Sequence, residues 1–138
     1  WVDKETIYRE ADLISLHIPL TSHTKNMIGY DDLKKMKPDA IVINASRGGI
    51  INEQDLAVIM NEGHLSGAAI DVFEQEPYAG PLTKIERCLL TSHMGSMSID
   101  CRTKMEIEAT EEVVRFCAGQ PLQGSVPSGE YDVQKQGL

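Results

Sequence analysis

Hydrophobic and polar positions come in alternating blocks. Asp3 opens the first block as a helix cap, with Glu5 in the first turn and the pattern running to Glu10. "LISLHIP", residues 13–19, is a short apolar run closed by Pro19 and predicts a strand. After the polar loop "LTSHTKN", Gly29 opens a second helix. Asp31 and Asp32 stand in its first turn and Lys34, Lys35 and Lys37 at its end, an order that suits the helix dipole, and Pro38 stops it. "AIVINA", residues 40–45, predicts a second strand, and its unbroken apolar character predicts cover on both faces. Asn52 caps a third helix that reaches Glu62 and ends at Gly63. "LSGAAIDVF", residues 65–73, predicts a third strand, whose small Gly67, Ala68 and Ala69 let a helix or ligand approach closely. A loop punctuated by Pro and Gly leads to "RCLLTS", residues 87–92, a fourth strand. A longer helix from Ser98 to Ala118 places Met105, Ala109, Val113, Phe116 and Cys117 on one face, with most of its charges elsewhere.

Helices alternating with strands in this way specify an open α/β sheet, mainly parallel, of about four strands with helices on its faces. The length of 138 residues suffices for one domain with a real core, and 41% hydrophobic with 25% charged residues is ordinary for a globular chain. No apolar run approaches the ~18 residues of a membrane span, and "WVDKETIYREAD" lacks the basic start and apolar centre of a signal peptide. A cytoplasmic setting with no membrane partner is the expectation. The net charge of −8, without any stripe of Lys and Arg, speaks against nucleic acid. Cys88, Cys101 and Cys117 are odd in number and widely spaced, without a CxxC pair. They predict small buried thiols in a reducing compartment and no metal site. Residues 123–138 are polar, carry Gly and Pro, and predict a loosely ordered tail.

Open parallel sheets bind ligands beyond the carboxyl ends of their strands. Those ends carry His17, Ile18 and Pro19; Ala45, Ser46, Arg47, Gly48 and Gly49; Asp71, then Glu74 and Glu76; and Ser92, His93, Met94, Gly95 and Ser96. An arginine, an aspartate, a glutamate and a histidine therefore converge on one rim. Arginine grips a carboxylate with two parallel hydrogen bonds. Histidine gives or takes a proton near neutral pH, and a neighbouring carboxylate favours its charged form. Taken singly, Arg47 reads as a surface charge, His93 as an ordinary polar residue, and Glu74 and Glu76 as solvated loop charges. Asp71, directly after "GAAI", needs a partner. His17 reads as a structural hydrogen-bonding group, and His23 and His64 receive no role. The joint placement is what points to a site for a carboxylate substrate.

"ADLISLHIPLTSHTKNMIG", "LKKMKPDAIVINASRGGIINEQDL", "GHLSGAAIDVFEQEP" and "LLTSHMG" together resemble the D-isomer-specific 2-hydroxyacid dehydrogenases. The phosphoglycerate dehydrogenase-like and glyoxylate or hydroxypyruvate reductase-like members are nearest, and the likeness spans Ala11 to Leu122. It implies that residues 1–122 form the C-terminal portion of an NAD(P)-binding domain. The fold would be partial Rossmann-like, doubly wound, lacking the first strands and the GxGxxG turn. The resemblance implies Arg47 as the clamp on substrate carboxylate and carbonyl, His93 as acid/base, and Glu76 as its partner. It places Asp71 against the nicotinamide carboxamide. Ile18, Pro19, Ala45, Ser46, Arg47, His93, Gly95 and Ser96 would line the cofactor. That cofactor is NAD, with NADP left open. The implied partner is a small 2-hydroxy or 2-keto acid, and the full-length protein would be a homodimer. Ser46 stands where the family commonly has alanine, and Ser92 stands where proline usually precedes the histidine, which leaves the His93 loop less rigid. Without GxGxxG and without the family's separate substrate domain, the chain would begin midway through the nucleotide domain. It would expose apolar surface where further strands pack, and turn over little by itself. Alternatives are an NAD(H)-sensing corepressor or scaffold on the same fold, and an inactive piece. A formate dehydrogenase-like member fits less well, because that branch carries glutamine at the position of Glu76.

Overall fold

The computed structural model describes residues 1–125, so the tail expected over 123–138 lies outside the described residues from 126 onward. Two compact units divide at His93, Trp1–His93 and the part from Met94 onward. The first unit holds a four-stranded, wholly parallel sheet in the order β1 (Leu13–Leu16), β2 (Ile41–Asn44), β3 (Gly67–Ile70), β4 (Cys88–Leu90). Helices α1 (Lys4–Glu10), α2 (Tyr30–Lys35) and α3 (Glu53–Asn61) accompany it. A 3₁₀ turn at Pro81–Lys84 interrupts what the sequence predicts as plain loop, and Leu82 within it is fully buried. The strands are shorter than the apolar runs that announce them, because the outer residues of each run belong to the loops.

The predicted starts hold. Asp3 accepts the Thr6 N–H at 2.8 Å, and Asn52 accepts the N–H groups of Gln54 and Asp55 at 3.1 Å. Arg87 donates to the carbonyl of Met60, in the last turn of α3, and to that of Leu65 in the turn beyond it, so one guanidinium ties the helix end to the start of the next segment.

Burial corrects one expectation. Ile14 and Leu16, Val42 and Asn44, and Ala68 and Ile70 fall on one face and are buried under Tyr8, Leu33, Leu56, Ile59 and Met60. On the other face Leu13, Ile41 and Leu89 are exposed. Within this unit β2 is thus covered on one side, not two. Its apolar run reports the chemistry of both faces without saying which has a neighbour. The apolar surface exposed here lies on a face of the sheet, whereas the surface expected from absent strands would lie along its edge.

The second unit contains α4 (Ile99–Cys117), capped by Ser98, whose hydroxyl accepts the Cys101 N–H at 3.2 Å. Met105, Ala109, Val113, Phe116 and Cys117 are exposed on it. The amides of Gln123 and Gly124 bond to the Glu112 carboxylate and tie the start of the tail to the helix. The cysteine expectation fails for two of three. Cys101 and Cys117 are exposed; only Cys88, next to the core, is half-buried, and burial pushes its thiol up to about 11. Among the described residues no helix is long and apolar enough to cross a membrane, and no His, Cys, Asp and Glu cluster is suited to a metal.

Candidate active site

Parallel strands aim their carboxyl ends at one rim, and the loops there are built by local hydrogen bonds. At the end of β2, Asn44 is buried and turns its side chain back on the chain. Its Oδ1 accepts from the Ser46 N–H (3.2 Å) and hydroxyl (3.0 Å), and its Nδ2 donates to the Arg47 carbonyl (2.9 Å). An Asn that hydrogen-bonds two and three residues ahead makes a tight turn. Arg47 emerges from that turn into solvent, with its guanidinium donating to the Ser46 carbonyl at 2.6 Å. Gly48 then passes so close to the next loop that a Cβ there would collide with the Phe73 carbonyl. Gly49 has φ +75°, a conformation natural to glycine, and its carbonyl accepts the Asn26 N–H at 2.6 Å.

The loop after β3 folds in the same manner. The Asp71 amide donates to the Asn44 carbonyl at 3.0 Å, and the Thr91 hydroxyl donates to Asp71 Oδ1, the partner this carboxylate needs. Glu76 reaches back to accept the Phe73 N–H at 3.1 Å and meets His93 Nδ1 with both oxygens at 3.2 Å. The Phe73 amide, and after it His93, hold the Glu76 carboxyl below its ordinary range. The Phe73 and Tyr78 rings stack 4.2 Å apart beside this loop, and the Glu76–Pro77 peptide is cis. His93 closes the arrangement. Its N–H donates to the Asp71 carbonyl at 2.7 Å while its backbone sits at φ +54°, a strained region for a residue with a Cβ.

Arg47, Glu76 and His93 therefore line one cleft of about 340 Å³. Ile18, Pro19, Ala45, Ser46 and Asp71 follow the ends of β1, β2 and β3 along the same rim. Gly95, exposed, and Ser96, half-buried, belong to the second unit. His17 pairs with Ser15 Oγ at 2.8 Å, and His64 with the Met36 carbonyl at 3.0 Å. Three neighbours of this cleft have no local signature. Lys25, from the polar loop after β1, lines the cleft and pairs with Glu74 at 3.3 Å. Asn44 looks like one more strand residue. Glu53 looks like an ordinary first-turn acid, yet it accepts the Glu74 N–H at 2.7 Å. Only the fold brings these partners together.

Comparisons with known proteins bear on the family and the fold. Residues 1–95 match the model of the D-isomer specific 2-hydroxyacid dehydrogenase, NAD binding domain. A glyoxylate reductase of Thermococcus litoralis is 42% identical over 121 residues, 87% of this chain and 37% of that protein. A D-3-phosphoglycerate dehydrogenase of Synechocystis sp. is 38% identical over 91% of this chain and 23% of its own length. The crystal structure of the TT0316 protein from Thermus thermophilus superimposes with a TM-score of 0.87 at 32% identity, covering 91% of this chain and 41% of that one. The chain thus spans well under half the length of these relatives. With the matched segment and the sheet in agreement, the chain belongs to the D-isomer-specific 2-hydroxyacid dehydrogenase family, as part of its NAD-binding domain.

Proposed function

We propose that the whole protein is an NAD-dependent oxidoreductase that interconverts a small D-2-hydroxy acid and its 2-keto acid. The observation that carries this reading is the His93–Glu76 pair lining one cleft with Arg47. The Arg47 guanidinium takes the substrate carboxylate in its fork and polarises the adjacent carbonyl. With Nδ1 engaged by Glu76, His93 uses Nε2 to give a proton to the developing alkoxide in reduction, or to take one in oxidation. Ionised Glu76 fixes the imidazole and stabilises the imidazolium. Ala45 and Ser46, small residues at the end of β2, would line the nicotinamide end of the cofactor, and the Asp71 carboxylate offers an acceptor for a carboxamide N–H. These residue types fit the nicotinamide end of NAD, which when bound supplies or accepts the hydride. The glycines after Arg47 serve the loop itself: Gly48 lets it lie against the Phe73–Glu74 backbone and Gly49 takes the positive φ of the turn.

The test is steady-state kinetics on the full-length enzyme, followed by NADH absorbance. His93→Ala lowers kcat by about 10²–10⁴-fold. Arg47→Lys, which keeps the charge and loses the fork, raises KM and lowers kcat/KM. Residues 1–138 alone give little or no reduction of glyoxylate, hydroxypyruvate or pyruvate. Full activity in either variant ends the proposal.

A further inference from the structure

Glu53 is half-buried at the first position of α3, the helix whose Leu56 and Ile59 are fully buried. Its carboxylate accepts the Glu74 amide at 2.7 Å. From there the contacts run unbroken to the acid–base pair. The amide of Phe73, next to Glu74, donates to Glu76, Glu76 holds His93 Nδ1, and the His93 amide returns to the Asp71 carbonyl. Gly48 presses on the same Phe73–Glu74 peptide from the other loop. Packing holds the loop as far as Phe73, which is buried and stacked on Tyr78, but Glu74 and Glu76 are exposed, and their side chains are fixed by polar contacts. A negative residue in the first turn of a helix needs no partner in another loop to favour the dipole. Glu53 has one, and it is the backbone that carries Glu76.

We propose that Glu53 is a positioning residue, which anchors the Glu74 backbone to the rigid start of α3 and thereby holds Glu76 against His93. The proposal rests on reading that pair as the acid–base centre. Burial first, then the charges of Glu74 and Glu76, raise the Glu53 carboxyl above its ordinary value. A carboxylate is kept here against its own repulsion from the residues it arranges.

The test follows the Glu76 carboxyl by carbon-detected NMR titration, and Glu74 amide exchange, in the 138-residue chain. The charged groups around Glu76 are His93, Asp71, Glu53 and Glu74, with Lys25 and Arg47 across the cleft. Glu53→Ala removes the acceptor. Exchange at Glu74 then speeds up about tenfold or more, the protection given by a hydrogen bond to a charged acceptor. The Glu76 midpoint rises toward the ordinary carboxylate value as its contacts loosen. Glu53→Gln keeps an acceptor oxygen and leaves that midpoint low. Glu53→Asp keeps the charge but withdraws it by one methylene, and the midpoint rises as with alanine. That variant decides the matter if the alanine variant does not fold. Asn52→Ala loosens the α3 cap without touching Glu74 and leaves Glu76 in place. A fall of the midpoint in both the Ala and Gln variants would mean that Glu53 acts by charge alone. That result, no movement in the Ala and Asp variants, or equal movement in Asn52→Ala, overturns the proposal. None of these readouts uses turnover, so a failed reductase assay leaves them interpretable.

Discussion

Val42 and Arg47 lie five residues apart on one stretch of chain, and they are held by different physics. Val42 is sealed between the sheet and its helices with no exposed surface. Arg47 stands in solvent, and what fixes it is the Asn44 side chain folded under its backbone. The same contrast repeats in the next strand, where Ile70 is buried and Glu76, beyond it, is aimed by the Phe73 amide. The interior is specified by volume and apolar area, the rim by directional hydrogen bonds from backbone that the interior has already placed. Stability and chemistry should therefore respond to different substitutions.

The largest effect lies inside. Leu56→Ala removes a fully buried side chain and costs about 2–5 kcal/mol in urea unfolding; a loss below about 1 kcal/mol would mean that the interior is not close-packed. Next comes a polar atom within that interior. The Tyr8 hydroxyl is buried without a hydrogen-bond partner, and burial, then Asp32 and Glu5, push its pKa up to about 12. The native state holds the neutral phenol while the unfolded chain ionises near pH 10. Stability is whole below pH 10 and falls as the pH rises toward 12, by about 3 kcal/mol. Tyr8→Phe removes that decline, and the difference between the two curves isolates it from the other tyrosines and the lysines. An identical slope in both proteins would place the phenol in water. The smallest effect is at the rim. Arg47→Ala shifts the unfolding free energy by no more than about 0.5 kcal/mol, since the side chain is exposed and bonds only to its own loop. A loss of several kcal/mol there would erase the distinction between interior and rim.

Legibility in the sequence follows the same divide. Caps at Asp3 and Asn52 are local chemistry, and they lie where the pattern places them; Ser98, read only as the start of the long helix, caps it as well. That an arginine, a glutamate and a histidine share one rim is legible because parallel strands point their ends the same way, whereas the choice of Glu76 over Glu74 comes only from the family resemblance. The covered face of β2 is not legible, because Ile41 and Val42 are both good strand residues and only the neighbours tell them apart. Exposure of Cys101 and Cys117 has the same cause: a thiol on a helix says nothing about what stands opposite. The bonds from Glu53 to Glu74 and from Lys25 to Glu74 join separate loops, and no local period records such a pairing.

Contact between Gly48 and the Phe73 carbonyl has a consequence for engineering. Two segments that touch main chain to main chain have no side chain between them to absorb a change in either. An insertion or a bulkier residue in one is transmitted directly to the other, and with it to the glutamate the second carries. Chimeras with relatives should therefore exchange residues 44–49 and 71–78 as a single cassette, never one without the other.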